Sequence, residues 1–342
     1  MKKIILLSLL PFTAMAAPSL KGFEKTYQDW DLICDNTGTC NMAGYQEERD
    51  GSEHPVSILF TRSAGEKAPV TAQLALLRED VGNKTAEIIL NGQSLGTIQN
   101  FSEEGNAKLS EKQTTELLTA LKGNASIEVV FGEFKEKVSD KGAAAAMLKM
   151  DEFQQRLNTP SALIRQGQEK HAVLAPQAAP KIEAVSVNNH KTIELKRGEK
   201  QFKHVLALLR KAYDGCVDGD LESQNIMIYP LTQNKVLAEA LCFEGAYQGT
   251  NYYAVLDDKL SKVEQVLAEQ YNEAGYDEKQ GYAFVRGSYK GRALGDCLAG
   301  QDAVWNGKIF IRTSDWMTGG CYKWFTGGAW QLPTFVSDII VK

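Results

Sequence analysis

The chain has 342 residues, with 38 basic and 43 acidic side chains. A mildly acidic balance without a dense basic cluster argues against a nucleic-acid binder. The length suggests two domains.

The first 16 residues read as a secretion signal. Lys2 and Lys3 precede an apolar run from Ile4 to Leu10, and Ala14-Met15-Ala16 offers small residues to a signal peptidase. Cleavage is expected after Ala16. The run is too short to span a bilayer, which takes about 20 apolar residues. No later stretch is long and apolar enough, so no membrane span is expected. Loss of Lys2 and Lys3 takes the formal charge from −5 to −7.

Residues 17–170 read as an α+β domain. Strand patterns run over Trp30–Cys34, Pro55–Arg62, Pro69–Arg78 and Thr85–Ile98. Asn91-Gly92 marks a hairpin turn, because both residues tolerate positive φ. A helix is predicted over Ser110–Lys122, capped by Ser110. A strand follows over Ala125–Phe131, then a longer helix over Gly142–Leu157 with Ser139 or Asp140 as its cap. Met147 and Met150 share a stripe at helical spacing, which reads as core.

Residues 171–185 read as an extended linker rich in alanine and proline, with Pro176 and Pro180. Ten of the twelve tyrosines and four of the five tryptophans lie beyond residue 200, which argues for two separate cores. Residues 186–342 read as mainly antiparallel β. The strand patterns are Gln224–Tyr229, Val236–Phe243, Tyr252–Leu256, Tyr282–Arg286, Lys308–Arg312 and Thr334–Val341. Phe202–Ala212 reads as a helix, and Lys259–Glu269 is ambiguous. The expected fold class is therefore mainly β with some α.

All six cysteines lie beyond the signal. An even number in an exported chain favours disulfides and an oxidising compartment. Sequence alone leaves about 15 connectivities open. Spacing favours three local pairs: Cys34 with Cys40, Cys216 with Cys242, and Cys297 with Cys321. No Cys-x2-Cys spacing occurs and no histidine lies near a cysteine, so a zinc site is not expected. The second domain also contains an internal similarity. Cys216 and Cys242 are 26 positions apart, and Cys297 and Cys321 are 24 apart. Gly245-Ala246-Tyr247-Gln248 follows one pair and Gly328-Ala329-Trp330-Gln331 the other. Two related disulfide-pinned units are expected.

These residues also carry a family resemblance. Lys290-Gly-Arg-Ala-Leu-Gly-Asp296-Cys297, then Trp305-Asn-Gly307, Phe310, Met317 and Cys321, resembles the C-terminal signature of a proteobacterial periplasmic family catalogued as domain of unknown function 1176. Cys242-Phe-Glu-Gly245-Ala-Tyr247 matches a second part of that pattern. Ala293, Asn306 and Tyr322-Lys323 depart from it. Asp29-Trp30, Cys34-Asp35, Cys40 and the segment from Gly142 resemble the invasion-associated locus B family. The resemblance implies a periplasmic location and no known chemistry.

Catalytic signatures are missing from the sequence. It holds no Gly-x-Ser-x-Gly, Ser-x-x-Lys, His-Glu-x-x-His or phosphate-cradling glycine loop. No catalytic residue, metal or cofactor is therefore expected. The four histidines, His54, His171, His190 and His204, read as solvated or structural. Asp214, Asp218, Asp220 and Glu222 could suit a hard cation, but Tyr229 stands where a calcium loop needs its closing glutamate. The aromatic, glycine-rich C-terminus is the leading candidate for function. Trp316, Tyr322, Trp324, Phe325 and Trp330 form the expected binding surface, with Trp324 and Phe325 exposed and Trp305 in the core. The expected partner is a periplasmic or envelope protein, peptide or glycan. The alternative is a carboxylate-dependent hydrolase of envelope polymers using Asp296 or Asp302.

Overall fold

The computed structural model describes residues 20–47, 54–77, 85–321, 325 and 327–342. The proposed signal and its cleavage site lie outside them, as do Tyr322 and Trp324. The fold is mainly antiparallel β, as the alternating patterns predict, with four helices among the described residues.

In the first half, β1 (Phe23–Tyr27), β2 (Trp30–Cys34), β3 (Cys40–Tyr45), β4 (Val56–Arg62), β5 (Val70–Leu76) and β8 (Asn106–Lys108) form one sheet in the order β1-β2-β3-β4-β5-β8. A second sheet, β10-β9-β6-β7, is built from β6 (Ala86–Leu90), β7 (Gln93–Ile98), β9 (Ile127–Phe131) and β10 (Phe134–Val138). The predicted strand Thr85–Ile98 is a hairpin folded at Asn91-Gly92, whose φ values of 50° and 81° are those the turn demands. Helix Glu111–Ala120 begins with a capping box, Ser110 and Gln113 satisfying each other's backbone donors. Helix Ala143–Phe153 starts differently from expectation. Its N-cap is Gly142 at φ 97°, without a side-chain cap. Gly142 backs directly onto the Tyr27 carbonyl, where any Cβ would collide. Ser139 and Asp140 bond elsewhere. The Ser139 hydroxyl donates to Asp29 Oδ2 at 2.6 Å, and the Asp140 carboxylate accepts from the Ala125 N–H at 2.8 Å. Trp30, Phe60, Phe131, Met147 and Met150 lie in the core these elements enclose.

Residues 155–180 form neither helix nor strand. They run along the first half and bond to it: Leu174 N–H to the Gln154 carbonyl, Gly65 N–H to the Leu174 carbonyl, and Gln177 N–H to the Thr37 carbonyl. A buried charged cluster holds the start of this run. Asp151 accepts from the N–H groups of Leu163 and Ile164 at 2.7 and 3.0 Å, and faces Arg62 at 3.7 Å. Arg156 donates to the Gly65 carbonyl at 2.5 Å and to the Ser161 hydroxyl at 3.1 Å. Burial, then the neighbouring Arg156 charge, push Arg62 down to about 10, against the pull of Asp151.

In the second half, β12 (Ile193–Leu195), β13 (Ile226–Pro230), β14 (Lys235–Glu244), β15 (Gly249–Asp257) and β16 (Val263–Tyr271) form a five-stranded sheet in sequence order. The ambiguous stretch Lys259–Glu269 thus enters a strand. Helix Lys200–Ala212 covers one face through Phe202, Val205, Leu206 and Leu209. The other face packs on a second five-stranded sheet made of β17 (Glu273–Tyr276), β18 (Ala283–Lys290), β19 (Leu298–Trp305), β20 (Phe310–Met317) and β21 (Leu332–Phe335). Trp305 is fully buried between the two sheets, its Nε1 donating to Thr232 Oγ1 at 2.8 Å. The predicted strand Thr334–Val341 divides in two. Its start lies in β21, and its end is β22 (Asp338–Val341), which pairs in parallel with β11 (Lys181–Ala184).

The halves have their own cores, and a further cluster joins them. β2 is buried at all five positions, because the outer face of the first sheet is covered by the C-terminal segment. Ile33, Ala43, Tyr45, Leu59 and Ala75 meet Phe325, Trp330 and Leu332 there.

Candidate binding surface

In the second half Cys216–Cys242 ties the segment before β13 to β14, and Cys297–Cys321 ties the residue before β19 to the segment after β20, while Cys34–Cys40 joins β2 to β3. The two disulfides of the second half pin the bases of two neighbouring chain reversals. One is the β14–β15 hairpin tip. The other is the β18–β19 connection, where Gly291 lies against both sulfurs of Cys297–Cys321. The reversals are tied together by the Lys290 N–H, which donates to Gln248 Oε1 at 3.0 Å. A third segment is held beside the hairpin: Val217 N–H donates to the Cys242 carbonyl, and Glu244 N–H to an Asp220 carboxylate oxygen, both at 2.9 Å.

Large apolar side chains stand out of this end. Val217, Phe243, Tyr247, Tyr289 and Leu294 are all exposed, Tyr247 by 68% and Leu294 by 66%. A disulfide-stitched, hydrogen-bonded frame thus presents two tyrosine rings, a phenylalanine and two aliphatic groups to solvent. Scattered apolar residues on a surface need no explanation, but a group on linked tips marks an interaction site.

The residues picked out from the sequence fall elsewhere. Phe325 and Trp330 are only 6% and 7% exposed. The expectation that Phe325 is exposed is corrected: both rings pack on the outer face of the first sheet. Trp330 Nε1 donates to Ser57 Oγ at 2.7 Å. Trp316 is half-buried and lies over its cross-strand partner Gly300, whose missing side chain makes room for the indole. Around these rings, Tyr45 donates its hydroxyl to the Thr318 carbonyl at 3.3 Å, and the Asn36 amide bonds both backbone groups of Val336. Asp31 accepts from Gly320 N–H at 2.6 Å and from the Thr26 hydroxyl at 2.5 Å. Burial raises the Asp31 carboxyl above the ordinary carboxylate range, while the Gly320 N–H and the Thr26 hydroxyl pull it back. The similar tetrapeptides of the two units therefore serve different ends. Tyr247 sits on an exposed tip, while Trp330 joins the halves.

The carboxylates considered for hydrolysis have other partners. Asp296 is buried and forms a bidentate pair with Arg292, which also donates to the Cys321 carbonyl at 2.8 Å. Asp302 accepts from the Ser314 hydroxyl at 3.0 Å. From Leu298 to Asp302 along β19 the chain advances roughly 13 Å at about 3.3 Å per residue, and Asp296 precedes Leu298. Paired glycosidase carboxyls stand roughly 5 to 10 Å apart. Asp296 also lies beside the sulfurs of Cys297 and Cys321, but those are bonded to each other and offer no thiolate to a metal. In the acidic turn, Asp220 is taken up by the Glu244 N–H and Glu222 by Arg210.

A different carboxylate draws three donors. Glu239 accepts from Tyr229 at 2.5 Å, Tyr253 at 3.1 Å, and the Asn251 amide. Burial, and then Glu239 itself, push both phenols well above their usual range, so they remain protonated donors. This is a cross-strand network at the edge of the inter-sheet core. The histidines are engaged as well. His54 stacks on Phe134 and His190 on Tyr276, His204 Nε2 contacts the Leu260 carbonyl at 2.9 Å, and His171 contacts Glu169 at 3.3 Å.

Residues 24–337 match the family described as protein of unknown function (DUF1176), across both halves. The chain belongs to that family. Among curated proteins none matches it. Among solved structures, the tail fibre of Staphylococcus aureus phage P68 aligns at 10% identity, over 86% of this chain and 68% of that one. The TM-score is 0.13, too low to carry any argument about fold or function. Cys242–Tyr247 and Lys290–Cys297, both within the matched range, are the two reversals and one cysteine of each disulfide that anchors them. No helix among the described residues is long and apolar enough to cross a membrane.

Proposed function

We propose that this DUF1176 protein is an exported, periplasmic, non-catalytic binding protein that holds an envelope protein partner on the linked tips of its second half. The signal-like N-terminus and the pairing of all six cysteines support an oxidising compartment. In the same reading its source is a proteobacterium, and its first half is related to the invasion-associated locus B family. The observation that carries the binding reading is the exposed group Val217, Phe243, Tyr247, Tyr289 and Leu294 on a cross-linked frame. Rigid aromatic side chains offer large contact area at little entropic cost, as interface anchors do. The aliphatic groups beside the rings favour a protein segment over a sugar, which stacks on ring faces and brings a polar rim.

Affinity capture from an envelope extract tests this with three baits: the wild-type chain, Tyr247→Ser/Tyr289→Ser, and Leu294→Ser. One partner is expected on the wild type and on neither variant, with the unfolding midpoint of Leu294→Ser unchanged because that side chain is 66% exposed. Equal capture by all three baits overturns the assignment.

A further inference from the structure

A second surface stands apart from the tips. Residues 191–211 contain Lys191, Lys196, Arg197, Lys200, Lys203, Arg210 and Lys211 against only Glu194 and Glu199, a net of +5 in a chain whose total is −5. The sequence gives no hint of a dense basic block, since apolar residues interrupt the run. The fold gathers it onto one face. Helix Lys200–Ala212 turns its apolar side to the sheet, leaving Lys200, Lys203, Ala207, Arg210 and Lys211 along the outer stripe. From Lys200 to Lys211 the stripe is about 17 Å long at about 1.5 Å per residue. Lys196 and Arg197 extend it from the preceding loop.

Two of the acids nearby are engaged. Glu222 pairs with Arg210, and Glu194 accepts from the Asn225 amide at 2.7 Å. No carboxylate among the described residues lies within ion-pair distance of Lys196, Arg197, Lys200, Lys203 or Lys211. Beside the stripe is an open cleft of about 810 Å³. Arg197 and Lys203 stand at its rim beside the Arg210–Glu222 ion pair, and Phe202, Leu206 and Ala207 form an apolar floor. On edge strand β12, Ile193 projects apolar surface, 53% exposed.

We propose that this face docks on the surface of an anionic-lipid bilayer. A planar, lysine-rich stripe with an apolar side chain beside it suits an interface of phosphate headgroups over hydrocarbon. Headgroup phosphates would meet Arg197 and Lys203, with the glycerol region over the apolar floor. A nucleic acid fits less well, because among the described residues no exposed Phe, Tyr or Trp lies on this face for base stacking.

Co-sedimentation of the chain lacking its first 16 residues tests the docking. Vesicles of phosphatidylglycerol in phosphatidylcholine are compared with pure phosphatidylcholine. The expected result is binding to the anionic vesicles alone, weakened by added salt. Each cation neutralised should cost about fivefold, so Lys196→Gln/Lys200→Gln/Lys203→Gln should bind roughly a hundredfold more weakly. A control, Lys108→Gln/Lys112→Gln/Lys122→Gln, carries the same charge change on the first half and should lose far less. Absence of binding, equal loss in the two triple variants, or tighter capture of a short DNA duplex than of the vesicles would each overturn the proposal.

Discussion

Replacing Trp330 by alanine asks whether the two halves fold as one body. The side chain is 7% exposed, lies among Ile33, Tyr45, Leu59 and Leu332, and donates to Ser57 Oγ. Removing a buried tryptophan costs about 3–5 kcal/mol. Ser57 keeps its bond to the Gly44 carbonyl, so no orphaned hydroxyl adds to that cost. The shift in melting temperature depends on how much of the chain unfolds together. With about 2.1 cal/mol/K of unfolding entropy per residue, the chain beyond the signal melting as one unit would shift by about 6 °C. The second half melting alone would shift by about 12 °C, because the same loss is divided by half the entropy. Calorimetry on the wild type and Trp330→Ala separates these cases. A single transition lowered by the smaller amount supports the joined core. Two transitions with only the later residues affected, or no shift at all, refute it.

Asp31 should make stability depend on pH in a defined direction. Its folded pKa lies above the unfolded value of about 3.9. Between the two values the folded chain retains a proton that the unfolded chain has released, so stability falls as pH rises through that window. Asp31→Asn removes this slope, and urea unfolding should show the asparagine variant gaining on the wild type as pH rises from about 4 through the folded-state titration. A gain in the opposite direction contradicts the burial argument. Cys297→Ser/Cys321→Ser opens a loop spanning 24 positions and should lower the unfolding free energy by about 3–4 kcal/mol. An unchanged urea midpoint would show that this disulfide does not constrain the reversal that displays Leu294.

Much of the fold follows from local rules. The Asn91-Gly92 turn and the Ser110 cap depend on neighbours in sequence, so the sequence shows them, while the three disulfides are the pairs that spacing favoured among the connectivities left open. β19 escaped because Ala299-Gly300-Gln301-Asp302 has little strand character. Gly300 is there so that the Trp316 ring and the Gly287 carbonyl can approach. The strand at Trp-Asp-Leu-Ile-Cys could be seen, but its continuous burial could not, because what covers its second face lies some 300 residues away. The candidate surface was harder to read. An aromatic residue near glycines fits an exposed tip and a packed junction equally well. Tyr247 took the first course and Trp330 the second, a difference set by the first half's sheet. Tyr289 and Leu294 became candidates only when the two reversals were seen joined through Gln248 and Lys290. The basic face was hidden similarly, its cations spread over 21 positions, with Lys200, Lys203, Arg210 and Lys211 aligned by the helix.

The binding claim is tested most directly by a photo-crosslinking side chain placed in turn at Tyr247, Leu294 and Lys112 in cells that make the protein. The account predicts one adduct of the same mass from Tyr247 and Leu294, on the two linked tips, and none from Lys112 on the first half. Adducts of unrelated masses from the two tips, or equal yields at all three positions, would contradict it.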